Sequence, residues 1–529
     1  MQLQEDVQDW AMGARQAVAD NVMKQFIQLP QHAFMEPFLE MWEMMRQGTF
    51  SSTTFVDFSF VSADTMANWT DYVQRSGLQS ARFERAVACM LGNIQADASA
   101  APFEFESALK RTHKMCWYAK GEHGWIQLFD ACEEYYMRNV PMRTSAHVIN
   151  TRQRLVVVKA SGERCPLVRI PEFSTDMSDD YMASIDDQTA IAENRFAPIL
   201  NRCRGGVYTD DGSMAFVMLT VLNICGDFNA LVFNMLLQAW ALGGFMNHSR
   251  FMVRKRGSFG LGAQIGEAIG VDELDLHSVP VYAPIREKVD LYKSGNGCIM
   301  GGVGALAAFC CFKGFTLQQC VHRAVAKCKV THTGVEAALT TALMAGMIWD
   351  KVQHDTQEWL AIDQMLEIWT AVQQVTEDMF PRQQYEEFYV SIDCIVESRA
   401  QTAELPKTGY SFVDRHGRMN DWSWRGSLLP PITNHARLES NPRYFGSYCL
   451  DCFTLALWCC DGQTKWDEVM RRAKQCLGDA DSIAAVAGQL AGAAKLPEKY
   501  DFLGCEEANV LARVMLWRHR CDKFTRLID

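Results

Sequence analysis

Gly478-Asp479-Ala480-Asp481-Ser482-Ile483-Ala484-Ala485-Val486-Ala487-Gly488-Gln489-Leu490-Ala491-Gly492 sets two carboxylates and a hydroxyl just ahead of a run of small side chains. Asp479 and Asp481 stand where a helix begins, and anionic side chains favour the positive end of a helix. Ala484, Ala485, Ala487, Gly488, Ala491 and Gly492 leave so little bulk that a neighbouring backbone can approach closely. That suits a central, buried helix. Carboxylates at the mouth of such a helix need a counter-charge, because unpaired buried anions are costly. A hard divalent cation with oxygen ligands supplies one. An ordinary N-cap with a solvated second aspartate is the competing reading, and this stretch alone divides the two evenly.

A second cluster shifts the balance towards metal. Tyr208-Thr209-Asp210-Asp211-Gly212 precedes an apolar helix reaching about Ile224, with another over about 228–242. The Thr-Asp-Asp triplet again puts a hydroxyl and two carboxylates at a helix start, where capping is the alternative. Upstream, Arg82 to Pro102 reads as a small-residue helix carrying Asp97, with Glu104 just beyond. These two acids either lie on the surface or face the site of Asp479 and Asp481.

Two stretches are rich in glycine: Lys255 to Gly262, and Ser294-Gly295-Asn296-Gly297-Cys298 through Gly304. Either can offer backbone N–H groups to a phosphate. No apolar strand precedes the second stretch, so it fails the context required of a dinucleotide fingerprint. His332, in Thr331-His332-Thr333-Gly334, either contacts a ligand or caps the Ala-rich helix that follows over 337–349. His332 and Glu336 alone do not make a metal site.

The rest of the chain sets the frame. At 529 residues it exceeds the usual size of a single core. A net charge of −12 and a pI near 5.5 argue against a nucleic-acid or membrane-surface binder, so an anionic ligand needs a local solution. The 19 cysteines sit largely in apolar helical patterns, as buried reduced thiols do, and the Cys449–Cys452 CxxC reads as core. The opening Met1–Asp6 is acidic and polar, unlike a secretory leader. A cytoplasmic protein is expected. Residues 1–80 read as a helical N-terminal extension, and 106–195 as an insertion with a small β-hairpin, Arg154–Lys159 and Leu167–Ile170. Two amphipathic helices follow over 352–400, a loop-rich stretch over 401–443, a buried helix from about Phe445, and a last helix over 505–524.

Five blocks in order resemble the ADP-ribosylglycohydrolase family, which includes the dinitrogenase reductase-activating glycohydrolases and J1-type crystallins. They are Leu91-Gly92 through Asp97 to Glu104-Phe105; Tyr208-Thr209-Asp210-Asp211; Gly295-Asn296-Gly297 through Met300; His332-Thr333; and Gly478-Asp479-Ala480-Asp481-Ser482. The resemblance covers about 82–105 and 205–520. It implies an all-α helical bundle over 81–529, interrupted by the insertion. It further implies two magnesium ions (or manganese) held by Thr209, Asp210, Asp211, Asp479, Asp481 and Ser482. Glu104, with Asp210 and Asp211, would be catalytic. Asp97, Gly295, Asn296, Gly297, Cys298 and His332 would bind the ligand. The implied activity is hydrolysis of an ADP-ribosyl bond on a modified protein or small ADP-ribosyl compound.

The chain also departs from that pattern. Ser482 stands for the usual Thr, Gly212 for another Thr, Gly301 for an Arg, Leu477 for a Gly, and Ala96 and Ala100 for glycines of the first helix. A non-catalytic ADP-ribose binder or crystallin-like structural protein is therefore the alternative, with the N-terminal extension as an oligomer surface.

Overall fold

Small residues recur every fourth position on two helices far apart in the chain: Ala88, Gly92 and Ala96 on α1 (Ala81–Ala100), and Ala484, Gly488 and Gly492 on α12 (Ala480–Ala493). These stripes pack backbone against backbone. A methyl placed on Gly92 would lie 2.3 Å from the Gly488 carbonyl oxygen, and one on Gly492 would lie 2.2 Å from that of Ala88. Residue 88 thus faces 492 and residue 92 faces 488, so the helices run antiparallel. That brings the last turn of α1 to the first turn of α12. The expected central buried helix is present: all fourteen residues of α12 are buried.

The computed structural model describes residues 81–101, 104, 116–121, 124–127, 147–151, 154–158, 164–170, 208–243, 258, 260–270, 290–354, 360–398, 411–413, 419–427, 430–431, 446–476 and 478–494. Of the helices that follow, α2 (Asp210–Cys225), α5 (Val303–Lys313) and α7 (Val335–Gln353) pack on the central pair, while α3 (Ala230–Gly243), α4 (Ala263–Ile269) and α6 (Leu317–Thr331) pack outside them. The bundle is completed by α8 (Ile362–Thr376), α9 (Arg382–Val396), α10 (Cys449–Cys460) and α11 (Trp466–Cys476). The fold is the expected all-α one. Its helices arise as the patterns predict: α2, α5 and α10 are apolar almost throughout and sit in the core, whereas α8 and α9 bury one face each.

Helix α6 was not anticipated, although its start carries a capping box. Gln319 N donates to Thr316 Oγ1 at 3.2 Å, and Thr316 N to Gln319 Oε1 at 3.0 Å. The hairpin in the insertion forms as β4 (Arg154–Val158) and β5 (Arg164–Ile170), with Leu155 opposite Leu167. It belongs to a larger unit than expected, a five-stranded antiparallel sheet ordered β2-β1-β5-β4-β3. The other strands are β1 (Cys116–Gly121), β2 (Gly124–Gln127) and β3 (His147–Thr151). Strands β3 and β4 connect across Arg152-Gln153, which lacks the Asn or Gly of a hairpin turn, so the sequence hides that strand. A short ladder pairs β6 (Ser411–Val413) with β7 (Met419–Asp421).

Thirteen cysteines, Cys449 and Cys452 among them, are free thiols, and all but Cys225 and Cys394 are buried, as expected of core residues. Among the described residues one helical run, Asn296–Lys313, has the length and apolar character of a membrane span, and 89% of it is buried inside the fold. The expected helices in 1–80 and 505–524 lie outside the described residues.

Candidate functional site

The antiparallel crossing of α1 and α12 carries Asp97, near the end of α1, to Asp481, in the first turn of α12. The start of α2 meets them. Thr209 caps α2 without using its own side chain, and Asp97 supplies the missing acceptor from across the core. Its carboxylate accepts from Thr209 N at 2.8 Å, Thr209 Oγ1 at 2.9 Å and Gly212 N at 2.7 Å. Thus α2 and α12 both direct positive N-terminal ends towards the same point.

Two groups of carboxylates gather there and share one member. Oxygens of Asp97, Asp211 and Asp481 lie within 4.8 Å of one another, as do those of Glu104, Asp479 and Asp481. All five side chains are buried. Ser482 Oγ is 3.4 Å from Asp211 Oδ2, although 271 positions separate the two residues. The two acidic tips that opened the reading therefore fold into one nest. Asp211 Oδ1 is buried and accepts no hydrogen bond. An all-oxygen donor set with an orphaned, fully buried carboxylate oxygen fits a hard dication such as magnesium or manganese.

Without a cation this nest is electrostatically strained. Burial, then the neighbouring Asp481, pushes Asp97 up to about 8. Burial and the surrounding aspartates hold Asp211 and Asp479 well above the usual carboxylate range. A folded-state value above the unfolded one gives stability that is complete below the unfolded value and lost as pH rises through the folded one. In the metal-free protein, stability is therefore expected to fall between about pH 4 and pH 8. Urea unfolding at pH 5 and pH 8 measures this, and excess magnesium should flatten the difference.

Asp210 stands apart from both carboxylate groups. Its side chain is partly exposed and lies against Gly260, where a Cβ would come within 2.1 Å of Asp210 Oδ1. Gly260 (φ +80°) thus makes room for a carboxylate, a different task from the phosphate contact considered for this glycine-rich stretch. Asp97, expected among the ligand-binding residues, sits inside the acidic nest. Thr209 and Ser482 place hydroxyls at its edge.

The glycine-rich loop closes one side of the nest. Asn296 Nδ2 donates to Asp479 Oδ2 at 2.8 Å, tying the loop to the carboxylates. The loop backbone pairs with the segment leading into α10: Asn296 N donates to Ser447 O at 2.8 Å, and Cys449 N to Ser294 O at 3.0 Å. Gly295 N donates to Gln264 Oε1 at 3.1 Å, and Cys298 Sγ to Gly295 O at 3.1 Å. His332 both closes α6 and packs against this loop. Its amide donates to Cys328 O, and its ring leaves 2.9 Å for a Cβ at Gly297. Burial, with the nearby Lys327 charge, lowers His332 to about 3, so the imidazole is neutral.

The two departures at Gly212 and Gly301 have a structural basis. A Cβ at Gly212 would fall 2.6 Å from Tyr208 Cβ, and one at Gly301 would fall 2.5 Å from Met214 Cβ. Tyr208 and Met214 fill those spaces. Leu477 lies outside the described residues.

Sequence reasoning missed the residues that brace the site. Gln489 receives the Gly304 amide at 2.6 Å and donates to the carbonyls of Ile299 (3.1 Å) and Met300 (3.0 Å). Asn93 donates to the same Met300 carbonyl at 2.5 Å. The signal for Gln489 was present, as the one polar side chain in the small-residue run after Ser482.

The sequence profile of the ADP-ribosylglycohydrolase family matches residues 78–500. No curated protein matches the chain. One similar solved structure is an "ADP-ribosylglycohydrolase-related protein complex", 15% identical, with 83% of this chain and 99% of that chain covered and a TM-score of 0.40.

Proposed function

This chain belongs to the ADP-ribosylglycohydrolase family, and on that premise we propose that it is a magnesium-dependent hydrolase releasing ADP-ribose from a modified protein or small ADP-ribosyl compound. The observation that carries the proposal is the pair of buried carboxylate groups joined through Asp481. Asp97, Asp211 and Asp481 would hold one ion, and Glu104, Asp479 and Asp481 the other, with the Thr209 and Ser482 hydroxyls at hand. When bound, the ions would orient the ribose hydroxyls and make a coordinated water more acidic. Glu104 takes a proton from the attacking water, a role suited to a carboxylate beside the reacting bond. Asn296 keeps Asp479 turned inwards, and the diphosphate is seated at the Gly297–Cys298 turn, since the Gly295 and Asn296 amides already donate to Gln264 and Ser447. The chain's acidity then does not oppose an anionic substrate, because the contacts are local.

Hydrolysis of arginine-, serine- and acetyl-linked ADP-ribose, with magnesium present and after chelation, tests this reading. Turnover of at least one substrate, abolished by chelation and restored by magnesium, is expected. Gly297→Ala should weaken ADP-ribose binding about tenfold or more, because its methyl meets the His332 ring. Magnesium binding should persist, and calorimetry with each ligand separates the two effects.

Tyr208 and Met214, filling the space beside Gly212 and Gly301, favour a second reading: an ADP-ribose binder without turnover. Binding across all three linkages with no release would select it. A cytoplasmic setting and an oligomer surface on residues 1–80 complete the proposal. Deleting that extension should lower the number of protomers per particle measured by light scattering, and an unchanged oligomeric state counts against the surface.

A further inference from the structure

Lys327, on the inner face of α6, is fully buried directly behind the glycine-rich loop. Its ammonium has three protons to donate. One hydrogen bond accounts for them, a 2.6 Å contact from Nζ to the Cys298 carbonyl. Among the described residues no carboxylate lies within ion-pair distance of it. The charged and titratable neighbours are the Cys298 and Cys328 thiols and the His332 imidazole. Burial raises both thiols, so they are neutral, and the imidazole is neutral too. The chain carries a net charge of −12 and buries five carboxylates in the adjacent nest, yet gives this cation no counter-ion.

That isolation needs a reason. A buried unpaired ammonium is costly, and a neutral amide donor would hold the Cys298 carbonyl as well without the cost. The turn Asn296–Cys298 is spanned by opposite charges: Asn296 is tied to Asp479 at one end, and Cys298 to Lys327 at the other. The loop backbone thus separates a buried anionic nest from a buried cation.

We propose that Lys327 is a specificity-determining and positioning residue, a buried positive charge behind the Gly295–Cys298 backbone that selects a doubly phosphorylated anion at this loop. The assignment rests on reading that loop as the diphosphate seat. Buried charge is weakly screened, so its field reaches a ligand across one peptide group more strongly than a surface lysine's would. The anion completes the ion pair that the apo protein lacks.

The test replaces Lys327 with Met, similar in length and uncharged, and uses three probes in magnesium buffer: inorganic pyrophosphate, ADP-ribose and adenosine. Lys327→Met should weaken pyrophosphate and ADP-ribose binding about tenfold and leave adenosine unchanged. The melting temperature without ligand should stay the same or rise, because an unpaired buried charge is gone. Unchanged pyrophosphate affinity, or an equal loss for all three probes, overturns the proposal, the second outcome assigning Lys327 to loop structure alone. Wild-type protein that binds no pyrophosphate overturns it as well. Lysine-dependent pyrophosphate binding without any ADP-ribose binding would instead remove the ADP-ribose reading and leave Lys327 in its role. Should Lys327→Met fail to fold, Lys327→Gln, which keeps a donor for Cys298, is read with the same probes.

Discussion

Asp481→Asn should lose about a thousandfold or more in kcat/KM and at the same time make the metal-free protein no less stable. Both halves follow from its place in the nest. Asp481 is the one carboxylate common to both groups, so neutralising it weakens both prospective ion sites together. Several kcal/mol of charge stabilisation depend on those ions, and each 1.4 kcal/mol is tenfold in rate. Without metal, however, Asp481 is one of the charges that raise Asp97 and Asp479. Removing it relieves repulsion among buried anions, and the amide keeps the shape. Thermal melts with and without magnesium provide the check: the magnesium-induced rise seen for wild type should vanish in the variant. A variant retaining both the magnesium shift and wild-type turnover would remove Asp481 from the machinery.

Gly488→Ala should be among the most damaging single methyls in the described residues. Its Cβ would lie 2.2 Å from the Gly92 carbonyl oxygen and 2.5 Å from Ala96 Cβ. Neither neighbour is a flexible tip, since one is helix backbone and the other a methyl on the same helix. Ordinarily Gly→Ala within a helix stabilises by about 1 kcal/mol through propensity. Here α1 and α12 must separate, and overpacking is expected to cost roughly 3 kcal/mol or more in spite of that gain. The separation also pulls Asp97 from Asp481, so magnesium affinity should fall along with stability. Exposed Gly262, which has open space around it and an ordinary negative φ, offers the control. If Gly488→Ala melts with the wild type, the backbone-to-backbone contact is not what holds the two helices together.

Much of this was legible in the residues themselves. Glycines and alanines at fourfold spacing announced a helix that another backbone could touch, and Asp479, Asp481, Asp210 and Asp211 marked two acidic helix starts. The glycine-rich loop declared itself by composition. What composition does not carry is direction. Asp210 and Asp211 are neighbours in the chain, yet one faces Gly260 and the other faces Ser482, because adjacent helical side chains point about 100° apart. The residues alone left Asp97 open between the surface and the site, and α2, whose amides it caps, decides for the site. Lys327 was not singled out because α6 itself was not anticipated, and its burial depends on α7 and the loop closing over it.

The chain by itself determined which helices form, which of them are buried and which carboxylates start them, since these follow from local propensity and from side-chain volume. The tertiary structure alone decided which acids share an ion site and which cation stands behind the loop. Those outcomes depend on an antiparallel crossing of segments nearly 400 positions apart, and no local rule encodes which faces such a crossing brings together.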